Sequence, residues 1–177
     1  MKGTRRVAFL DRDGVLTVPI EQDGKGYAPR TIAELQFYPD AAYSVYRLKS
    51  AGYVPVIVTN QPDISSGVLT QESLGEIHTV VRSRMGIDLI RTCPHTSTDS
   101  CTCRKPLPGL LLEEDQLGPI DYSTSWIVGD RDSDIQAGIA AGCRTVFIDR
   151  GWTAETGHGA DAVVRSLREA VDTILAS

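Results

Sequence analysis

The segment Val7-Ala8-Phe9-Leu10-Asp11-Arg12-Asp13-Gly14-Val15 begins as an unbroken apolar run and then turns into two carboxylates one residue apart, followed by glycine. A short continuous apolar run of this kind is how a strand buried on both faces of a parallel sheet reads. Such a strand delivers Asp11 and Asp13 to its carboxyl end, where open α/β sheets place their ligands. Two carboxylates so close repel each other unless a cation or a shared proton intervenes. The pair therefore points to a metal-assisted site with one nucleophile and one acid/base.

The same ending recurs downstream. Residues 54–59 form an apolar run that closes on Thr59-Asn60-Gln61, and residues 125–129 form another that closes on Gly129-Asp130-Arg131-Asp132-Ser133-Asp134. Any one of these endings resembles an ordinary turn. Three with complementary chemistry place the polar groups of separate strands on one edge of one sheet. Candidate strands are 6–10, 54–59, 88–92, 125–128 and 145–148. Between them, Ala41, Val45 and Leu48 repeat at helical spacing behind Asp40 as N-cap. Leu74, Ile77, Val81 and Met85 do so behind Thr70, with Glu72 in the first turn, and Leu167, Val171 and Ile174 mark a C-terminal helix. This alternation predicts right-handed crossovers and a doubly wound parallel sheet, Rossmann-like and three-layered. No repeat, low-complexity tract or linker interrupts it, so residues 1–177 read as one domain. Residues 15–39, with Gly24, Gly26 and Pro29, stand outside the alternation and are expected to form a flap or hairpin over the first strand's end.

At 177 residues, 41% hydrophobic and 23% charged, the chain is long enough to bury a core without staples. A net charge of −5 and a pI near 5.2 exclude a general nucleic-acid binder, which needs a basic face. No apolar run approaches the ~18 residues of a membrane span. The apolar run after the basic N-terminus is too short for a signal-peptide core, and a cytoplasmic location is expected. A monomer is expected too, because no long apolar stripe is left over once the sheet is covered.

Three of the four cysteines cluster in Cys93-Pro94-His95-Thr96-Ser97-Thr98-Asp99-Ser100-Cys101-Thr102-Cys103, a C-x-H-x5-C-x-C pattern. Three thiolates and an imidazole from one loop suit tetrahedral Zn²⁺; free thiols or a disulfide are the alternatives. A Cys101–Cys103 disulfide would be strained. Four protein ligands leave no open position, so the zinc is expected to be structural and to stiffen the loop entering Arg104-Lys105-Pro106. Cys143 reads as buried core, and His78 and His158 as surface residues without a role. Lys105, one of only four lysines, is flanked by structural punctuation on both sides. A fixed ammonium there would neutralise phosphoryl oxygens and the charge on Asp11.

Taken in order, Asp11-Arg12-Asp13-Gly14, Thr59-Asn60, Lys105, and Asp130 with Asp134 resemble the motif set of haloacid-dehalogenase-type phosphatases. The zinc loop running into Cys103-Arg104-Lys105-Pro106 is similar to the small, essentially capless branch that contains heptose bisphosphate and histidinol-phosphate phosphatases. The resemblance covers residues 6–150. It implies that Asp11 attacks phosphorus to form an aspartyl-phosphate, and that Asp13 protonates the leaving alkoxide and then activates water. It implies Mg²⁺ held by the Asp11 carboxylate, the Asp13 carbonyl and Asp130, with Asp134 supporting that shell. Thr59 and Asn60 are expected to donate to phosphoryl oxygens, with Lys105 offsetting charge and Arg104 and Arg131 contacting a small phosphate ester.

The ester is less specified. Heptose phosphatases follow Thr-Asn-Gln with Ser-Gly and then Ala-Arg-Gly, whereas this chain reads Gln61-Pro62-Asp63-Ile64-Ser65-Ser66-Gly67, with Ser66 in place of the arginine. Arg104, Arg30 and Lys25 are substitutes. Histidinol phosphate would want carboxylates such as Glu21, Asp23 or Asp63. The run Cys-Arg-Lys-Pro-Leu-Pro-Gly favours a sugar phosphate, and with it carbohydrate metabolism and lipopolysaccharide sugar synthesis. A phospho-receiver would carry its phosphorylated aspartate at the end of the third strand, and the stretch Thr92-Cys93 has none. A silent zinc-bearing module would not need every chemical position filled.

Overall fold

The unbroken apolar run at the N-terminus lies at the centre of the sheet. The computed structural model describes residues 4–22, 25–113, 117–151 and 154–177. In chain order they form β1 (Val7–Leu10), a hairpin of β2 (Ile20–Gln22) and β3 (Lys25–Tyr27), α1 (Ala41–Ser50), β4 (Val54–Asn60), α2 (Gln71–Met85) and β5 (Ile90–Cys93). There follow α3 (Gly109–Leu112), β6 (Trp126–Gly129), α4 (Asp132–Ala141), β7 (Arg144–Ile148), β8 (Ala162–Val164) and α5 (Leu167–Leu175). Six strands pair in the order β5-β4-β1-β6-β7-β8, all parallel, and β2–β3 is a separate antiparallel ribbon. The expected doubly wound sheet is therefore present, extended by the short edge strand β8, which the alternation did not predict.

Residue alternation along β1 sorts the core into two layers. Ala8 and Leu10 pack with Val45 and Leu48 of α1, Ile77 and Val81 of α2, and Val171 and Ile174 of α5. Val7 and Phe9 face the other side, with Leu110 and Leu111 of α3 and Ala137 of α4. All the apolar helix positions named from spacing are buried. Thr70 caps α2, its hydroxyl accepting from the Ser73 N–H at 3.1 Å. Asp40 precedes α1 but caps a neighbour instead, accepting from the Arg168 N–H at 2.9 Å in the first turn of α5.

Two further expectations need correction. The strand placed at 88–92 spans Ile90–Cys93, so Cys93 is the last residue of β5 and the metal-type loop starts directly from the sheet. His78 is not at the surface: it is 7% exposed, on the inward stripe of α2. Positions 74, 77, 78 and 81 are the i, i+3, i+4, i+7 set of one helix face, so the spacing that buries Leu74 and Val81 buries His78 as well. Cys143 is buried, as expected, and His158 is exposed. Among the described residues no helix is long and apolar enough to cross a membrane.

Phe9 sits fully buried two residues before Asp11, with the Arg91 guanidinium 5.7 Å from its ring centroid. Replacing it with alanine is expected to destabilise the fold by roughly 3–5 kcal/mol, read as a lower urea midpoint at unchanged slope.

Candidate active site

Because β1 is flanked by β4 on one side and β6 on the other, the loops leaving these three strands meet over one point. The Asp11 N–H donates to Val128 O of β6 at 3.0 Å, which seats the first carboxylate between the strands. Lys105 reaches it from the cysteine loop: its Nζ donates to Asp11 Oδ1 at 2.8 Å and to Val58 O at 2.9 Å, and lies 2.5 Å from Asp134 Oδ1. Asp11, Lys105, Asp130 and Asp134 are all buried. Carboxylate oxygens of Asp11, Asp130 and Asp134 come within 4.8 Å of one another. Gly14 makes this possible: at φ +93° it leaves room for the Asp130 carboxylate, which a Cβ at that position would strike.

Three buried carboxylates and one ammonium leave negative charge uncompensated. Burial, then repulsion from Asp134 and Asp13, pushes Asp11 up to about 7 despite Lys105. Burial and the Asp11 and Asp134 charges push Asp130 well above the usual carboxylate range. The Lys105 pKa is raised as well, which keeps the ammonium charged, since the Asp11 and Asp134 carboxylates outweigh its burial. Asp130 Oδ1 is buried with no protein partner among the described residues. A set of hard oxygen donors with an orphaned buried carboxylate oxygen fits a small divalent cation such as Mg²⁺. Asp134 Oδ1 is taken by Lys105 and its Oδ2 by the Arg131 N–H at 3.1 Å, which suits a supporting role rather than a free ligand.

Asp13 is held quite differently. Its Oδ1 accepts from Arg12 Nε at 3.0 Å and Thr17 Oγ1 at 2.8 Å, and its Oδ2 accepts from Arg12 Nη2 at 2.8 Å and Gln61 Nε2 at 2.9 Å. Burial acts to raise its pKa, but the Arg12 charge and these hydrogen bonds outweigh it and hold the carboxyl below its usual range. Gln61, fully buried, also donates to Thr59 Oγ1 at 2.8 Å, which occupies that oxygen as an acceptor and leaves its own proton to donate. Asn60 spends its amide on the lysine: Nδ2 donates to Lys105 O at 3.1 Å and Oδ1 accepts from Lys105 N at 3.2 Å. The expected phosphoryl donor at Asn60 is thus first a clamp on the Lys105 backbone. Arg12 and Gln61 received no role from the sequence, although both lie inside the motifs that were singled out.

These groups open into a cavity of about 470 Å³ whose far wall is the β2–β3 hairpin, the residues after Asn60, and the start of α4. Arg131 ties that wall together, donating from Nη2 to Gly26 O of the hairpin at 3.1 Å and facing Glu155 Oε1 at 4.0 Å. Arg104 lines the cavity and donates to His95 O at 2.9 Å. Arg30 is paired with Asp63 at 2.7 Å, so neither is a free charge, and Ser66 is exposed. Glu21 is exposed on the hairpin; Asp23 and the Lys25 side chain lie outside the described residues.

Cys93, His95, Cys101 and Cys103 converge, with Cys93 Sγ 3.1 Å from Cys103 Sγ, 3.9 Å from Cys101 Sγ and 3.5 Å from His95 Nδ1. Tetrahedral zinc with bonds near 2.3 Å sets sulfurs ~3.8 Å apart. All four cysteines are free of disulfides. The donor set fits Zn²⁺ bound through three sulfurs and Nδ1, and the Cys93–Cys101 separation of 3.9 Å matches that spacing, with Cys103 Sγ closer to Cys93 at 3.1 Å.

A HAD-hydrolase-like family profile matches residues 102–170. The D-glycero-beta-D-manno-heptose-1,7-bisphosphate 7-phosphatase of Yersinia pestis is 37% identical over 176 residues, covering 91% of this chain and 90% of that protein. Its counterpart in Pseudomonas aeruginosa is 33% identical over 84% of this chain and 83% of its own. A crystal structure of D,D-heptose 1,7-bisphosphate phosphatase from B. bronchiseptica, complexed with magnesium and phosphate, superposes with a TM-score of 0.81 at 26% identity, over 97% of this chain and 98% of that one. With its nucleophile-type aspartate, buried lysine and acidic cluster on one sheet edge, and relatives matched over nearly their full length, this chain belongs to the HAD-like hydrolase family, in the group formed by the heptose bisphosphate phosphatases.

Proposed function

We propose that residues 1–177 form a single hydrolase domain that cleaves a sugar phosphate monoester, with heptose 1,7-bisphosphate as the best candidate, through an aspartyl-phosphate on Asp11. The observation that carries this reading is the buried Asp11 carboxylate bonded through one oxygen to Lys105, beside the acidic pair Asp130 and Asp134. One Asp11 oxygen is held by the ammonium and the other is left to attack phosphorus as the ester P–O bond breaks. Lys105 and the Thr59 hydroxyl stabilise the phosphoryl oxygens as charge spreads over them. Asp13 gives its proton to the leaving alkoxide, then takes one from the water that attacks phosphorus and frees Asp11. Its donors favour the anion needed for the second step; an incoming phosphate dianion favours the protonated form needed for the first. Mg²⁺ bound by Asp11, Asp130 and the Asp13 carbonyl would neutralise charge on the phosphoryl oxygens.

Zn²⁺ on Cys93, His95, Cys101 and Cys103 would be structural, since four protein ligands close its shell. It would set the position of Arg104 and Lys105, which follow Cys103 directly. Asp63, one of the carboxylates histidinol phosphate would want, is already paired with Arg30. Arg104 and Arg131 remain the cavity cations suited to a second anionic group.

Asp11→Asn is expected to reduce phosphate release from heptose 1,7-bisphosphate with Mg²⁺ to background, and Lys105→Ala to lower kcat by about 10²–10³. Retained turnover in Asp11→Asn, or faster release from histidinol phosphate than from the heptose, would reject the mechanism or the substrate respectively. Metal analysis of protein purified without chelators should find about one zinc per chain, and its removal should lower the thermal midpoint.

A further inference from the structure

Arg12 separates the two aspartates in sequence, and its side chain has no exposure to solvent. Burying a guanidinium costs several kcal/mol unless its donors are all met. Here each of its three nitrogens has a partner: Nε and Nη2 grip the Asp13 carboxylate, and Nη1 lies 3.1 Å from His78 Nε2. Arginine has no acceptor, so the imidazole must accept at Nε2 and carry its proton on Nδ1. His78 is on the buried stripe of α2, between Ile77 and Val81, where packing alone asks for an apolar residue. Its burial, together with the Arg12 and Arg82 charges, lowers its pKa to about 4, so it stays neutral in the physiological range.

We infer that Arg12 and His78 are positioning residues for the reaction: His78 orients the Arg12 guanidinium, and Arg12 holds the Asp13 carboxylate in the one rotamer from which it serves the phosphoryl group. The inference rests on the reading of Asp13 as the acid/base. The Asp13 carboxylate has donors on both oxygens, from β1's own end (Arg12), from the following turn (Thr17) and from the end of β4 (Gln61). Of these, the arginine supplies the two-nitrogen grip that fixes the carboxylate plane, and its own guanidinium is held by a side chain of α2. Loss of the imidazole acceptor leaves a buried guanidinium N–H unpaired, and the guanidinium shifts toward another acceptor, taking the carboxylate with it. None of Lys105, Thr59, Arg104 or Arg131 bonds to Arg12 or His78, so substrate binding should be spared.

The test is steady-state kinetics of His78→Leu, His78→Gln and Arg12→Lys, with heptose 1,7-bisphosphate and Mg²⁺, each variant checked for folding by its thermal transition. His78→Leu should lower kcat by about 10–100-fold with KM changed less than about twofold. His78→Gln, which restores an acceptor, should recover most of that loss, and Arg12→Lys should behave like His78→Leu. Full kcat in folded His78→Leu, a loss confined to KM, or glutamine no better than leucine would overturn the inference. ¹⁵N spectra of the wild-type histidines, with His78 assigned through His78→Gln, supply a measurement that needs no folded leucine variant. A neutral ring protonated at Nδ1 supports the inference, and a proton on Nε2 overturns it. Asp13→Asn separates the two levels. Full turnover there removes the acid/base reading itself, whereas an inactive Asp13→Asn beside an unimpaired His78→Leu removes the positioning role alone.

Discussion

The constraint on which the rest of this molecule depends is the imbalance of charge at the carboxyl edge of the sheet. Asp11, Asp130 and Asp134 bring three carboxylates into a space with one ammonium, and nearly all of it is out of contact with water. Left as it is, such a cluster binds protons, as the raised pKa values of Asp11 and Asp130 express. On the proposed reading a divalent cation and a phosphate ester would relieve it together: the cation would answer the carboxylates and leave Lys105 to answer the phosphoryl oxygens. The site is thus electrostatically incomplete by itself, and this preorganised incompleteness is what the proposed metal and substrate would make good.

Much of the surrounding structure holds that cluster in place. Parallel strands on either side of β1 place the Asp11, Thr59 and Asp130 loops at one height. Gly14 clears space for the Asp130 carboxylate, and Arg150 Nε ties Gly14 O at 2.7 Å to the loop after β7. Lys105 arrives from outside the sheet's own geometry and needs two restraints. One is the Asn60 amide, which pairs with its backbone on both sides; the other is the cysteine and histidine cluster immediately before it. Arg131 in turn joins the hairpin to the start of α4, which ties the cavity wall to the strand end that carries the acidic cluster.

The two carboxylates of the first motif illustrate how far residue type alone carries a reading. Asp11 and Asp13 have the same side chain and sit two residues apart, yet one is crowded by like charges and the other is wrapped in donors. That difference comes from Asp134, whose charge crowds Asp11, and from Arg12, Thr17 and Gln61, which donate to Asp13 and all lie close by in sequence or inside a motif already recognised. Their importance was hidden because a hydrogen bond between side chains leaves no periodicity. His78 was the opposite case. Its burial was legible from the helical stripe of Leu74, Ile77 and Val81, but its polar character suggested the surface, and only its contact with Arg12 explains an imidazole at an inward position.

By itself the sequence determined what is periodic or contiguous. Apolar runs marked the strands, i to i+4 spacings marked α1, α2 and α5, and the C-x-H-x5-C-x-C pattern brought four donors within chelating distance along a single loop. These features depend on short stretches of chain, where backbone geometry alone sets which residues meet. The short segments β8 and α3 escaped it because, at three and four residues, they have too little period of their own and are formed by packing on the sheet. The partners of each ionisable group were decided only by the tertiary structure: Lys105 with Asp134, Asn60 with the Lys105 backbone, Arg30 with Asp63, His78 with Arg12. Each pair joins separate loops or elements, and which donor meets which acceptor depends on strand order and crossover geometry, quantities to which no local spacing is sensitive.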